Sequence, residues 1–109
     1  MSKEEQIRLS VSQLKEKLGI DADVSLIDAV AKHLGVALLS DDASLVACGD
    51  DSERETIKEK FLKGKLGLTE NDNLDEAIEK ICEDMGKSNP QKRRVAFYYL
   101  LAKHYGKTL

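Results

Sequence analysis

The residues whose types and spacing could do chemistry gather near the C-terminus. Lys87, Lys92, Arg93 and Arg94 lie within eight positions, with Ser88 and Asn89 among them and no Asp or Glu from residue 86 onward. Cations interleaved with short polar side chains suit an anion, which they hold by Coulomb attraction and charge-assisted hydrogen bonds. Ser88-Asn89-Pro90-Gln91 reads as a helix start, with proline in the first turn and Ser88 with Gln91 as a capping box. A helix start there presents free N–H groups to an anion. It also costs about 0.3–1 kcal/mol for each cation placed against the dipole. On that helix Lys92 and Lys103 share a narrow polar stripe with Ala96, and Tyr99 stands beside it, placed to stack a base. The candidate anion- or partner-binding set is therefore Lys87, Ser88, Asn89, Lys92, Arg93, Tyr99 and Lys103. The competing reading balances the cations internally, against acidic loops such as Asp41-Asp42 or Asp50-Asp51. Arg94 shares a helical face with Tyr98 and Leu101 and is expected to pair inside the fold. Lys92 and Arg93 are expected to reach solvent.

Other chemistries fit less well. Asp21, Asp23 and Ser25 have the alternating spacing of a calcium loop, but Leu26 stands where the turn needs glycine and Lys32 where the ion needs a bidentate Glu. The related positions Thr69, Asn71 and Asn73, ending at Lys80, fail in the same way, and these side chains read as helix caps. Cys48, Cys82, His33 and His104 make a zinc set by count only, since no pair has the short spacing of such sites. The two cysteines, 34 residues apart, read as reduced thiols, with Cys82 packing as a small hydrophobe. His33 reads as a helix C-terminal residue interacting with the dipole. There is no glycine-rich phosphate loop and no local Ser/His/Asp motif. No catalytic residue, cofactor or metal is expected.

Helical periodicity dominates the elements that must position these groups. Residues 3–18 align Ile7, Val11, Leu14 and Leu18, capped by Ser2 with Glu5 and ended by Gly19. Residues 25–34 align Ile27, Val30, Ala31 and Leu34, with Ser25 and Asp28 as cap and Gly35 as stop. Residues 41–48 read as a short helix and Val36–Leu39 as a lone strand without a partner. Residues 52–66 start at Ser52 with Glu55 and carry Ile57, Phe61, Leu62 and Leu66. The cleanest amphipathic helix is 74–85, with Leu74, Ala77, Ile78, Ile81, Cys82 and Met85 on one face, Asn73 as cap and Gly86 as stop. Residues 89–105 are apolar around most of the circumference, which predicts a central, buried helix.

A chain of 109 residues supports one hydrophobic core, so 1–109 is read as a single all-α domain of five or six helices around the C-terminal one. Apolar residues at 41% and charged residues at 34% describe a soluble, acidic globule. The longest apolar run is Val36–Leu39, which predicts no membrane span, and the charged Met1–Glu5 start predicts a cytoplasmic protein. Net charge −3 conceals a split: residues 1–85 hold eleven basic and twenty acidic residues, residues 86–109 six basic and none acidic. An internal repeat at an offset of 48 relates residues 14–32 to 62–80, identical at eight of nineteen positions, which suggests repeat halves 1–48 and 49–109 about a pseudo-two-fold axis.

Asp42-Ala43-Ser44-Leu45-Val46 with Cys48, then Phe61-Leu62 and Lys65-Leu66-Gly67-Leu68, and above all Cys82, Met85-Gly86, Ser88-Asn89, Lys92, Arg94 and Phe97-Tyr98-Tyr99-Leu100-Leu101, carry a resemblance. Over about residues 40–105 the chain resembles the small family catalogued as domain of unknown function 2853. Pro90 departs from the family pattern, where a polar or basic residue is expected. The resemblance implies a small, cytosolic, all-α bacterial protein and assigns no activity, cofactor or catalytic residue. Two functions follow as expectations. The first is a non-catalytic protein–protein interaction module, taking an unknown partner or self-associating. The alternative is anion or nucleic-acid binding through segment 87–107.

Overall fold

The helix that is apolar on all sides is the axis of the molecule. The structure, a computed structural model, describes residues 2–35, 45–89, 91–107 and 109. Five α-helices run through them: α1 (Lys3–Leu18), α2 (Val24–Leu34), α3 (Asp51–Thr56), α4 (Leu74–Asp84) and α5 (Arg94–His104). Nine of the eleven residues of α5, Arg94 through Ala102, are buried, and α1, α2 and α4 each pack on it. No strand is present among the described residues; Leu45 and Arg93 form one isolated antiparallel bridge. None of these helices is long and apolar enough to cross a membrane.

Local chemistry sets the helix ends. Ser2 caps α1 by accepting from Glu5 N at 3.2 Å. Gly19 (φ 65°) and Gly67 (φ 70°) take the left-handed conformation that ends a helix cheaply only at glycine. The caps of α2 and α3 differ from the expected Ser25 and Ser52: Asp23 and Asp50 each accept from two backbone N–H groups. A carboxylate two residues earlier satisfies the same orphan donors and adds favourable charge at the positive end of the dipole. Asn73 precedes α4 as expected, but it sits at φ 54° and its side chain makes no cap bond.

The expected faces of α4 and α5 hold. Leu74, Ala77, Ile78, Ile81, Cys82 and Met85 are all buried. Helix α1 is rotated from its expected face: Gln6, Ser10 and Leu14 are buried, while Ile7, Val11 and Leu18 are only partly covered. After Thr56, α3 widens into a π-helical stretch, Ile57–Lys63, which buries Ile57, Phe61 and Leu62. Gly64 closes it where a Cβ would stand 2.6 Å from Lys60 O. The two repeat segments therefore share a left-handed glycine but differ around it. Gly19 follows a regular α-helix; Gly67 follows a π stretch and precedes the 3-10 turn Glu70–Asp72.

Two further expectations change here. Residues 45–48 are not helical: Leu45 is in the bridge, and Cys48 enters a turn. Residues 41–44, like the expected strand at 36–39, lie outside the described residues. The last helix begins at Arg94, not at residue 89. Arg93, at ψ 131°, is extended and forms its N-cap, and its N–H donates to Gln13 Oε1 at 2.9 Å. Lys92 and Arg93 thus precede the helix, so the dipole opposes only Arg94.

Candidate functional site

The turn between α4 and α5 is built by its own side chains. Gly86 (φ 91°) breaks α4, and Asn89 N donates back to Gly86 O at 3.0 Å. The Asn89 amide donates to Met85 O at 3.1 Å, and its oxygen accepts from Gln91 N at 2.9 Å. The chain thereby curls around the Lys92 side chain. Lys92 is only 4% exposed. Its Nζ donates to Asn89 O at 2.7 Å and Lys87 O at 3.3 Å. Lys92 O accepts from Val46 N at 2.8 Å, which ties segment 45–50 to the turn. Burial holds the Lys92 ammonium below its ordinary 10.5. Among the described residues no carboxylate lies within 4.0 Å of it.

Lys92 stands on the wall of a shallow cleft of about 470 Å³, between Leu45–Gly49 on one side and Lys87, Ser88 and Asn89 on the other. Four of the seven candidate residues therefore meet at one place. Lys87 lies on the rim, with its Nζ 2.7 Å from Glu79 and 3.7 Å from Glu83. The hydrogen bond that Lys87 donates to Glu79 raises Lys87, and Lys87 and Arg54 together hold Glu79 below its ordinary 4.5.

The other three candidates are elsewhere. Tyr99, expected to stack a base, is 1% exposed, and its hydroxyl accepts from Asp23 N at 2.9 Å. The stripe that placed it near solvent does not exist, because Ala96 and Lys92 are buried too. Lys103 is exposed near the far end of α5, about 14 Å along the axis from Arg94 at 1.5 Å per residue. Arg93 lines a separate cleft with Gln13, Glu16 and Lys17. Lys92 itself is a correction: expected in solvent, it turns inward, because the extended backbone before α5 lets the turn carbonyls receive it.

Arg94 pairs internally, as expected. Its guanidinium meets the Glu53 carboxylate, donates to Leu45 O at 3.0 Å and to Tyr98 Oη at 3.3 Å, and lies 5.7 Å from the Tyr98 ring centroid. The partner among the described residues is an α3 carboxylate, while the Asp41-Asp42 loop named from sequence lies outside them.

The cysteines also correct their reading as free thiols. Cys48 and Cys82 are disulfide-bonded, with Sγ–Sγ 2.09 Å and Cα atoms 6.1 Å apart. The bond joins segment 45–50 to α4 at the floor of a second cleft, about 260 Å³, which Arg54, Glu79 and Lys87 complete. Sequence spacing carried no signal for it, because the approach comes from segment 45–50 returning across α4. Among the described residues no group of His, Cys, Asp and Glu could hold a metal ion.

Among curated proteins no relative matches the chain. A family model does, over residues 10–109, and so covers nearly the whole chain, including the turn and the helix that build the cleft. With the Met85-Gly86, Ser88-Asn89, Lys92 and Arg94 pattern in place at that turn, the chain belongs to the family described as Protein of unknown function (DUF2853).

Proposed function

We propose that the protein is a non-catalytic binding module that holds one anionic group, a carboxylate or a phosphate, in the Lys92 cleft. The observation that carries this reading is the buried Lys92 ammonium, which is held by two carbonyls and by no carboxylate among the described residues. An ammonium has three donors, and the described residues take two. A desolvated cation keeps an unmet electrostatic demand that an anion at the cleft would satisfy, in surroundings where attraction exceeds its value in water. Ser88 and Asn89 add neutral polar groups at the rim. No His, Asp or Glu lines the cleft among the described residues, which favours holding over proton-transfer chemistry.

Nucleic-acid binding draws less support, because a phosphate backbone needs a run of accessible cations. Lys87 and Arg94 are in ion pairs, Lys103 is remote, and Tyr99 is buried. Self-association through an apolar face draws little, since Val24 is the large apolar side chain that stands exposed among the described residues. A partner protein presenting an acidic side chain or C-terminus fits the cleft, and a cytoplasmic setting belongs to the same reading.

The test is a low-salt titration with inorganic phosphate and, separately, a short peptide ending in consecutive acidic residues, followed by backbone amide shifts. Movement at 46–49 and 86–92, abolished in Lys92→Met and weakened by salt, supports the reading. Saturation by the peptide but not by phosphate identifies a protein partner. Absence of shifts with both ligands contradicts it.

A further inference from the structure

The Cys48–Cys82 bond links a sulfur at the two clefts to one in the core, and the two are unequal. Cys82 is 1% exposed on the inner face of α4. Cys48 is partly exposed, sits in a turn before Gly49, and lines both clefts, whereas Cys82 lines only the second. Arg54 and Lys87 stand in that second cleft, and the Arg54 guanidinium reaches Cys48 O at 3.5 Å. Glu79 pairs both cations, and the two of them against one carboxylate leave net positive charge at this cleft, which favours a thiolate leaving group, while accessible disulfides exchange and buried ones stay inert.

We propose that Cys48–Cys82 is a thiol–disulfide exchange site, with Cys48 as the sulfur that an external thiol attacks. A thiolate, low-molecular-weight or from a protein dithiol, bonds to Cys48 Sγ. The Cys48–Cys82 bond breaks, and its electron pair leaves on Cys82 Sγ, which takes a proton from water. A second thiolate attacks the external sulfur of the mixed disulfide, and the pair leaves on Cys48, which is protonated in turn. Two external thiols are oxidised to one disulfide, and the protein gains two thiols.

Opening the bond changes little of the fold. Segment 45–50 remains held at one end by Val46 N to Lys92 O and by Arg94 to Leu45 O, and at the other by the Asp50 cap of α3. The stretch between, Ala47–Gly49, is one wall of the Lys92 cleft. The exchange site thus controls the attachment of that wall to α4, and its chemistry stands whether or not the cleft takes an anion.

The experiment treats the oxidised native protein with reduced glutathione, quenches with acid, and maps the adducts by mass spectrometry. The expected result is a mixed disulfide on Cys48 with Cys82 free, formed roughly tenfold faster than any adduct on Cys82. Amide shifts on reduction are expected at 45–50 and in the residues of α4 around Cys82. A second measurement uses Cys82→Ser, whose Cys48 should take up glutathione from its disulfide without denaturant. A bond that opens only in denaturant, adducts that favour Cys82, or two free thiols in the air-oxidised protein would each overturn the proposal.

Discussion

Two cations two residues apart in sequence are both buried, and their surroundings differ completely. Arg94, at the start of α5, meets a carboxylate, a backbone carbonyl and a tyrosine hydroxyl. Lys92, in the turn before it, meets only Asn89 O and Lys87 O among the described residues. Guanidinium and carboxylate have matching planar geometry, and their attraction offsets much of the desolvation that burial imposes. Carbonyl dipoles stabilise an ammonium without neutralising it, and Lys92 is accordingly held below its ordinary 10.5. The same basic segment therefore divides into one position that fastens α3 to α5 and another that no carboxylate among the described residues balances, the one proposed to take a ligand.

The sharpest way to break that contrast is to remove each cation. Arg94→Met leaves the Glu53 carboxylate unpaired where both side chains are mostly covered, and should lower unfolding free energy by about 3–5 kcal/mol. Denaturant unfolding of the variant measures it, and a loss under about 1 kcal/mol would make the pair incidental. Lys92→Met should change stability by no more than about 1 kcal/mol, because it removes a desolvated charge and leaves two carbonyls that cleft water can reach. Its effect should appear in anion binding instead.

Next in size is the covalent link. Cys48→Ser with Cys82→Ser removes a cross-link spanning 34 positions, and the chain-entropy relation gives about 3–4 kcal/mol for a loop of that length. Unfolding of the oxidised and reduced wild-type protein should show the same difference, and coincident transitions would contradict it. Leu101→Ala, fully buried in α5, should cost about 2–5 kcal/mol, and a much smaller loss would place α5 at the periphery.

The smallest effect concerns the rim. Glu79 has a folded pKa below 4.5, first through its hydrogen bond with Lys87 and then through Arg54. Its contribution is present above pH 4.5 and is lost as pH falls through the depressed folded value, since the unfolded state then binds more protons. Glu79→Gln should flatten that acid limb slightly, as measured by thermal unfolding from pH 6 to about pH 3. An unchanged limb would mean that the exposed rim pairs contribute nothing.

What the sequence made legible follows the range of each signal. The α4 face and the central place of α5 come from apolar periodicity, a local pattern that needs no partner to be read, and both hold in full. Gly19 as a helix stop is equally local. The face of α1 was not legible, because burial of Gln6 and Ser10 is imposed by what packs on them and not by their polarity. Nor was the inward Lys92. Proline and a capping box at 88–91 predict a helix start, but the Leu45–Arg93 bridge, a contact across 48 positions, holds the chain extended there and delays the helix to Arg94. The Asn89 side chain bonding Gln91 N is the one local cue that a turn, not a helix, begins at that point. The Cys48–Cys82 approach had no local cue at all.

The most direct measurement follows the Lys92 side chain itself, by NMR titration of its ε-carbon with selectively labelled lysine, assigned by Lys92→Met. The result expected is a Lys92 pKa below 10.5 in the free protein that rises when phosphate or the acidic peptide saturates the cleft. A Lys92 pKa at or above 10.5, or one that no anion moves, would contradict the buried Lys92 ammonium as the binding centre.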